Sequence, residues 1–254
     1  MSRVVAMAGK GGVGKTTVSA LVVRYFAKQE GSPLLAIDAD PNSNLGETLG
    51  LNIEKTVGDV REDFMRDPQG VPSGMDKILY LEMLMNQVLI EESNYDLLVM
   101  GRQEGQGCYC MVNNILNRFA EELESNYNYL LVDNEAGMEH LSRRSSGKVD
   151  MLLMVTDYAL RGLRAVGRIN SMLKDLKLDV KHKGLIVNRA PSQLSQVFLD
   201  EVEQIGVPIL CTIPDDENLL NFDMERRSLL DLPDDSPAVV AVDGLMAKVK
   251  EITA

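Results

Sequence analysis

Residues 9 to 17 read Gly-Lys-Gly-Gly-Val-Gly-Lys-Thr-Thr, and their types and spacing suit phosphate chemistry. Gly9, Gly14, Lys15 and Thr16 satisfy the P-loop pattern of a glycine, four residues, then Gly-Lys-Thr. The apolar run Val4–Ala8 before the loop suits a buried strand. Val18, Leu21, Val22, Tyr25 and Phe26 after it fall at amphipathic-helix spacing. Gly9, Gly11, Gly12 and Gly14 let the backbone wrap an anion without a Cβ in the way. The N–H groups of the loop, from Lys10 through Val13 to Thr17, aim partial positive charge at that anion where the helix begins. Lys15 is expected to reach the β and γ phosphates and Thr16 to hold Mg²⁺. A bland glycine-rich turn would explain neither Lys15-Thr16 nor the strand–loop–helix setting.

Acids stand at two further strand ends. Leu34–Asp38 is an apolar run followed by Ala39-Asp40-Pro41. Side chains alternate along a strand, so Asp38 and Asp40 share a face at the ligand edge of a sheet. A carboxylate there is tolerated beside a phosphate-bound Mg²⁺, because the metal offsets its charge; two turn-capping aspartates before Pro41 are the plainer alternative. Tyr129–Asp133 is a second apolar run ending in an acid, and Asp133 is expected in the Mg²⁺ shell. A third pattern is Gly107-Cys108-Tyr109-Cys110, between a strand-like run, Leu97–Met100, and a helical one. Two thiols at this spacing can converge on one soft metal ion, yet they fill only half of a tetrahedral site. A twofold axis would supply the other pair, and a helix N-terminus would favour the thiolate form. The spacing alone also fits two incidental cysteines.

Lys10 is a second lysine inside the loop. With it, Lys-Gly-Gly-Val-Gly-Lys-Thr resembles the deviant Walker A loop of the MinD/ParA/nitrogenase-iron-protein ATPases. The resemblance implies a homodimer in which Lys10 reaches the partner's nucleotide. It implies that Asp38 lies near the metal and that Asp40 orients the attacking water. Asp133-Asn134-Glu135-Ala136-Gly137 fits the family's Asp-x-x-x-Gly switch, with a Gly137 N–H on the γ-phosphate. Asn188, with Arg189, stands where the family reads adenine, and Pro214 lies in Ile213-Pro214-Asp215-Asp216, which resembles the second adenine-side loop. Asn188-Arg189-Ala190-Pro191 lacks the aspartate of the GTPase pattern, so ATP/ADP is expected rather than guanine nucleotides.

Cys108 matches the cluster-ligating cysteine of the nitrogenase iron protein. The second ligand expected after the switch is missing, since Glu139-His140-Leu141-Ser142 holds no cysteine, and the cluster pattern is broken. The chain as a whole resembles the carbon monoxide dehydrogenase accessory ATPases of the CooC type. It shares their Cys-x-Cys and the stretch Asp-Asn-Glu-Ala-Gly-Met-Glu-His at 133–140. That likeness implies nickel insertion, with Ni²⁺ or Zn²⁺ on Cys108 and Cys110 and carbon monoxide dehydrogenase as partner. His140 is then either an auxiliary ligand or a hydrogen-bonded structural group. Two other readings stay open: a positioning or partitioning ATPase, which would carry a basic tail or stripe, and an iron–sulfur scaffold or reductase.

These residues need a frame. A chain of 254 residues, 45% hydrophobic and 25% charged, can form a single α/β domain spanning 1–254. The net charge of −12 disfavours broad binding to nucleic acid or an anionic membrane. The start runs directly into a strand without a signal peptide, and no apolar run approaches the ~18 residues that span a bilayer; a cytoplasmic protein is expected. Three cysteines in a reducing compartment point away from disulfides. Predicted strands are Val4–Ala8, Leu34–Asp38, Ile78–Leu81, Leu97–Met100, Tyr129–Asp133, Leu152–Val155, Gly184–Asn188 and Pro208–Thr212. Predicted helices are Thr17–Lys28, Met111–Asn126, Arg161–Leu176, Ser192–Ile205 and Ala238–Ile252, with 66–75 a surface connection. Short apolar strands alternating with helices predict a doubly wound, mostly parallel sheet flanked by helices, with ligands beyond its carboxyl edge. Met83 and Met85 are expected to fill core gaps and Cys211 to be a small buried hydrophobe.

Overall fold

A computed structural model describes residues 2–29, 33–67, 70–102, 123, 125–135, 148–173, 175–176 and 178–254. The strands are β1 (Arg3–Gly9), β2 (Leu34–Asp38), β3 (Leu89–Glu91), β4 (Tyr95–Val99), β5 (Tyr129–Asp133), β6 (Lys148–Asp157), β7 (Asp179–Ala190) and β8 (Ile209–Pro214). Among the described residues they form one sheet in the order β3-β4-β2-β5-β1-β6-β7-β8. Every pairing is parallel except the edge pair β3–β4. The described helices are α1 (Lys15–Ala27), α2 (Asn44–Thr48), α3 (Val57–Arg66), α4 (Lys77–Asn86), α5 (Leu160–Met172), α6 (Gln196–Ile205), α7 (Glu217–Met224) and α8 (Pro237–Ile252).

Alternation along the strands builds two cores. Val4, Ala6, Ala8, Leu130 and Val132 join Val60 and Phe64 of α3, Leu81 of α4, Val166 of α5 and Phe198 of α6 on one face. Val5, Met7, Leu131 and Leu153 join Leu21 and Phe26 of α1, Phe222 of α7 and Val242 of α8 on the other. Both faces of a parallel sheet are thus covered, which is why its strands read as continuous apolar runs. This is the doubly wound architecture that the alternation predicted. No described helix is long and apolar enough to cross a membrane.

Three local expectations are corrected. Ile78–Leu81 lies within helix α4, not in a strand. Asp76 caps that helix, accepting from Ile78 N at 2.8 Å and Leu79 N at 3.4 Å, and Leu81 and Met85, four apart, are its buried residues. Met85 is 1% exposed and fills the core as expected, whereas Met83 is 40% exposed. Cys211 is half-buried and not enclosed; burial still pushes its thiol up to about 11. The predicted helix Met111–Asn126 falls almost wholly outside the described residues.

Charged groups inside the frame are tied by hydrogen bonds. Arg24 of α1, 2% exposed, donates to Leu232 O at 2.5 Å and Asp234 Oδ1 at 2.6 Å. Asp216 accepts from Asn218 N at 3.0 Å, Ala238 N at 2.9 Å and the Ser236 hydroxyl. One carboxylate thereby holds the starts of α7 and α8. Burial alone would raise it, but these donors outweigh burial and hold it below the usual range.

Candidate functional site

β1 is central, and the loop leaving it closes on itself. Gly9 passes so near β6 that a Cβ there would lie 2.3 Å from Val155 O. Gly14, at φ 91, forms the left-handed N-cap of α1, and a Cβ on it would strike Asn188 Nδ2 at 2.3 Å. Only glycine fits either place. Lys15 is 7% exposed, and its ammonium donates to Lys10 O at 3.4 Å across the loop. The Lys10 side chain is exposed. Asn188, 6% exposed at the end of β7, donates from Nδ2 to Val13 O at 2.9 Å. Its Oδ1 accepts from Arg189 N at 3.0 Å, and Arg189 itself adopts φ 51. The structure therefore gives Asn188 a task the sequence did not suggest: it buttresses the phosphate loop from two strands away.

The acids come together through strand register. β5 lies between β2 and β1, and Asp133 is the register partner of both Asp38 and Met7. Asp38 is fully buried; it accepts from Asp40 N at 3.1 Å and Leu45 N at 2.9 Å, so a side chain from β2 caps helix α2. Burial pushes Asp38 up to about 7, and the neighbouring Asp133 and Asp40 charges add to the rise against those two N–H bonds. Asp133 is 1% exposed, and burial pushes it up to about 6 while the Thr16 and Ser19 hydroxyls and the Lys15 ammonium pull it back. Neither Asp133 oxygen has a partner in hydrogen-bond geometry among the described residues. An unmet buried acceptor costs about 1–3 kcal/mol, so this end of β5 asks for a cation. Asp40 is half-buried at the rim; its Oδ1 accepts from Asn42 N and Nδ2, both at 2.9 Å.

This donor set fits Mg²⁺. Among the described residues no three His, Cys, Asp or Glu side chains converge, and Mg²⁺ is ordinarily held by one or two carboxylates, waters and substrate phosphates, not by an all-protein cage. Asp133, Asp38 and Thr16 offer that set. Two residues that the sequence did not single out belong to the same locus. Asn134, 2% exposed, donates from Nδ2 to Met7 O at 2.8 Å and Val132 O at 3.3 Å, while its Oδ1 is unmet among the described residues. Ser19 is fully buried, and its hydroxyl has no partner in hydrogen-bond geometry among the described residues. Its only sequence signal is its place three residues after Thr16, on the same helix face.

Beside the loop, a cleft of about 610 Å³ is lined by Thr17, Asn188, Arg189, Pro214, Asp215 and Glu47 among others. That volume suits a small organic ligand. It gathers the three base-side candidates, Asn188, Arg189 and Pro214, with Thr17 of the loop. A larger hollow of about 750 Å³ around Phe64 and Tyr80 contains none of the residues singled out by motif. Gly137, His140, Cys108 and Cys110 lie outside the described residues. The stem leading to the two cysteines is described: Met100 N donates to Asp38 O at 2.8 Å, and Gly58 N of α3 donates to Met100 O at 3.0 Å.

A family model described as the CobQ/CobB/MinD/ParA nucleotide binding domain matches residues 4–229. An uncharacterized ATP-binding protein of Methanocaldococcus jannaschii is 36% identical over 248 residues, covering 97% of this chain and 98% of that protein. The carbon monoxide dehydrogenase accessory protein CooC of Rhodospirillum rubrum is 31% identical over 249 residues, covering 92% of this chain and 90% of that protein. Among solved structures, the MinD cell division protein of Aquifex aeolicus matches with a TM-score of 0.71 and 25% identity, over 98% of this chain and 97% of that one. The chain is therefore a P-loop ATPase and belongs to the CobQ/CobB/MinD/ParA family.

Proposed function

We propose that this ATPase acts as a nucleotide-dependent homodimer that takes a soft metal ion, nickel or zinc, on Cys108 and Cys110 and passes it to a client of the carbon monoxide dehydrogenase type. The likeness to the Rhodospirillum protein supports the client class. One observation carries the link between hydrolysis and metal: the Met100 N to Asp38 O bond of 2.8 Å ties the stem of the cysteine segment to the strand end that bears the acids. That bond continues the β2–β4 ladder, so a shift at the acid-bearing strand end is carried to the stem through the paired strands. ATP lies with its phosphates in the loop and its base in the cleft beside Asn188, Arg189 and Pro214. Lys15 balances phosphate charge, and the exposed Lys10 reaches the partner's nucleotide. Asp40, oriented by Asn42, positions the attacking water. Mg²⁺, when held by Thr16, Asp133 and Asp38, neutralises charge building on the phosphates.

The experiment is a Ni²⁺ titration of apo, ADP-bound and ATP-bound protein, repeated with Cys108→Ser/Cys110→Ser. Stoichiometric binding of one ion per dimer, lost in the double variant and altered by nucleotide, is the expected result. By reciprocity the metal then changes nucleotide affinity by the same factor. Undiminished binding in the double variant refutes the metal site. Equal nickel affinity in all three states removes the coupling.

A second reading has its own observation. Arg161, Arg164 and Arg168 of α5 are exposed at helical spacing on one face, and none forms an ion pair with a described residue. The acidic total of the chain hides this basic stripe, the kind of surface that a partitioning ATPase would use. Salt-sensitive, ATP-dependent binding of duplex DNA, lost when the three arginines become glutamine, would favour that class instead.

A further inference from the structure

Ser19 is out of character with its surroundings. Val18, Ala20, Leu21, Val22 and Val23 beside it on α1 are apolar and buried, and alanine would serve at this position with better helix propensity. Instead a hydroxyl is enclosed there at 0% exposure, with no hydrogen-bond partner among the described residues. Both Asp133 oxygens and Asn134 Oδ1 are unmet in the same way. Four such atoms on three residues lie on α1 and at the end of β5. Ser19 stands one helical turn beyond Thr16, so both hydroxyls point to one side of the helix. Asp133 is the carboxylate on that side, and both hydroxyls lie near enough to act on it. A hydroxyl and a carboxylate enclosed near one another can satisfy each other after a small shift, leaving the second carboxylate oxygen for an incoming group.

We propose that Ser19 is a positioning residue for the metal centre: its hydroxyl donates to one oxygen of Asp133, holds the carboxylate in a single rotamer, and leaves the other oxygen to the shell of the nucleotide-bound Mg²⁺. The inference rests on the Mg²⁺-dependent reading given above. Groups in this position act through the ligand, and losing one commonly lowers metal affinity roughly 10- to 100-fold. Ser19 lies outside the phosphate loop and is not among the residues lining the cleft, so its removal is expected to leave metal-free nucleotide binding as it was.

Mn²⁺ is the probe, measured by electron paramagnetic resonance on the protein–ADP complex, with wild type and Ser19→Ala compared. Alongside it, ADP affinity is measured in excess chelator and thermal stability on the apo protein. The expected result is a loss of Mn²⁺ affinity of about 10-fold or more, with unchanged metal-free ADP affinity and an apo melting temperature equal to or above that of wild type. A purely structural hydroxyl would give the reverse pattern, a lower melting temperature and normal Mn²⁺ affinity, and that result overturns the proposal. Wild-type Mn²⁺ dependence with an unaffected Ser19→Ala overturns this inference alone. A wild type whose ADP complex binds no Mn²⁺ overturns the metal reading and this inference with it.

Discussion

Asp38 and Asp133 are direct register partners on neighbouring parallel strands, both essentially enclosed and both raised above the ordinary carboxylate range. Burial disfavours a charge on either acid, and the Asp133 charge adds to the rise at Asp38. An unfolded aspartate titrates near ~4. The folded Asp38 therefore binds a proton that the unfolded chain lacks between that value and about 7. Its contribution to stability is fully present below the unfolded value and is lost as pH rises through 7. The apo wild type should lose melting temperature between pH 6 and pH 8 more steeply than Asp38→Asn. Parallel slopes for the two proteins would contradict the shift.

Lys15 is held at the loop by the Lys10 carbonyl and is nearly enclosed before any nucleotide arrives. Lys15→Ala removes a charge-assisted contact worth about 1.5–3 kcal/mol, so ATP affinity should fall roughly ten- to hundredfold. Asp40→Ala leaves the phosphate contacts in place. It should bind ATP near normally and lose about 10²–10⁴ in turnover, as expected for a group that handles the attacking water. Equilibrium binding and single-turnover hydrolysis separate the two effects; similar profiles for both variants would refute the division of labour.

Asn188 joins the end of β7 to the loop through Val13 O at 2.9 Å. Asn188→Ala leaves a buried carbonyl without its donor, at a cost of about 1–2 kcal/mol, or roughly 3–6 °C in melting temperature for a chain of this size. The loop also loses its brace, so ATP and ADP should both bind more weakly. A variant weakened for adenine nucleotides but of wild-type apo stability would show that base contact is the larger role.

The Lys10 side chain is exposed in the single chain. ATP should promote association of the wild type and not of Lys10→Ala, because the exposed ammonium finds a partner phosphate only in the paired state. Sedimentation with and without ATP, in the presence of a chelator so that metal cannot hold the pair, decides this. Equal ATP-driven association of both proteins would remove Lys10 from the interface.

The phosphate loop was legible in the sequence because everything it needs is local: glycines for the turn, Lys15 and Thr16 at fixed offsets, an apolar strand before and a helix after. The strand-end acids were legible for the same reason, since each ends a local apolar run and a shift of one residue would move it to the other face. The arrangement of the acids relative to one another was not. Asp38 and Asp133 are 95 residues apart in sequence, as their numbers show, and meet only because the sheet places β5 next to β2. Asn188 likewise reaches Val13 across 175 residues. Helix α2 is short, and its cap comes from Asp38 on β2, so no local signal announced it. Strand β3 is three residues on the sheet edge, and α4 was mistaken for a strand because four apolar residues fit either period. Ser19 belongs to no motif and Asn134 only to the switch stretch without a role of its own; burial marks both, because their polar atoms lack partners among the described residues. Local spacing determined which chemistry the chain can do; the order of strands, a long-range property, decided which side chains are enclosed together to do it.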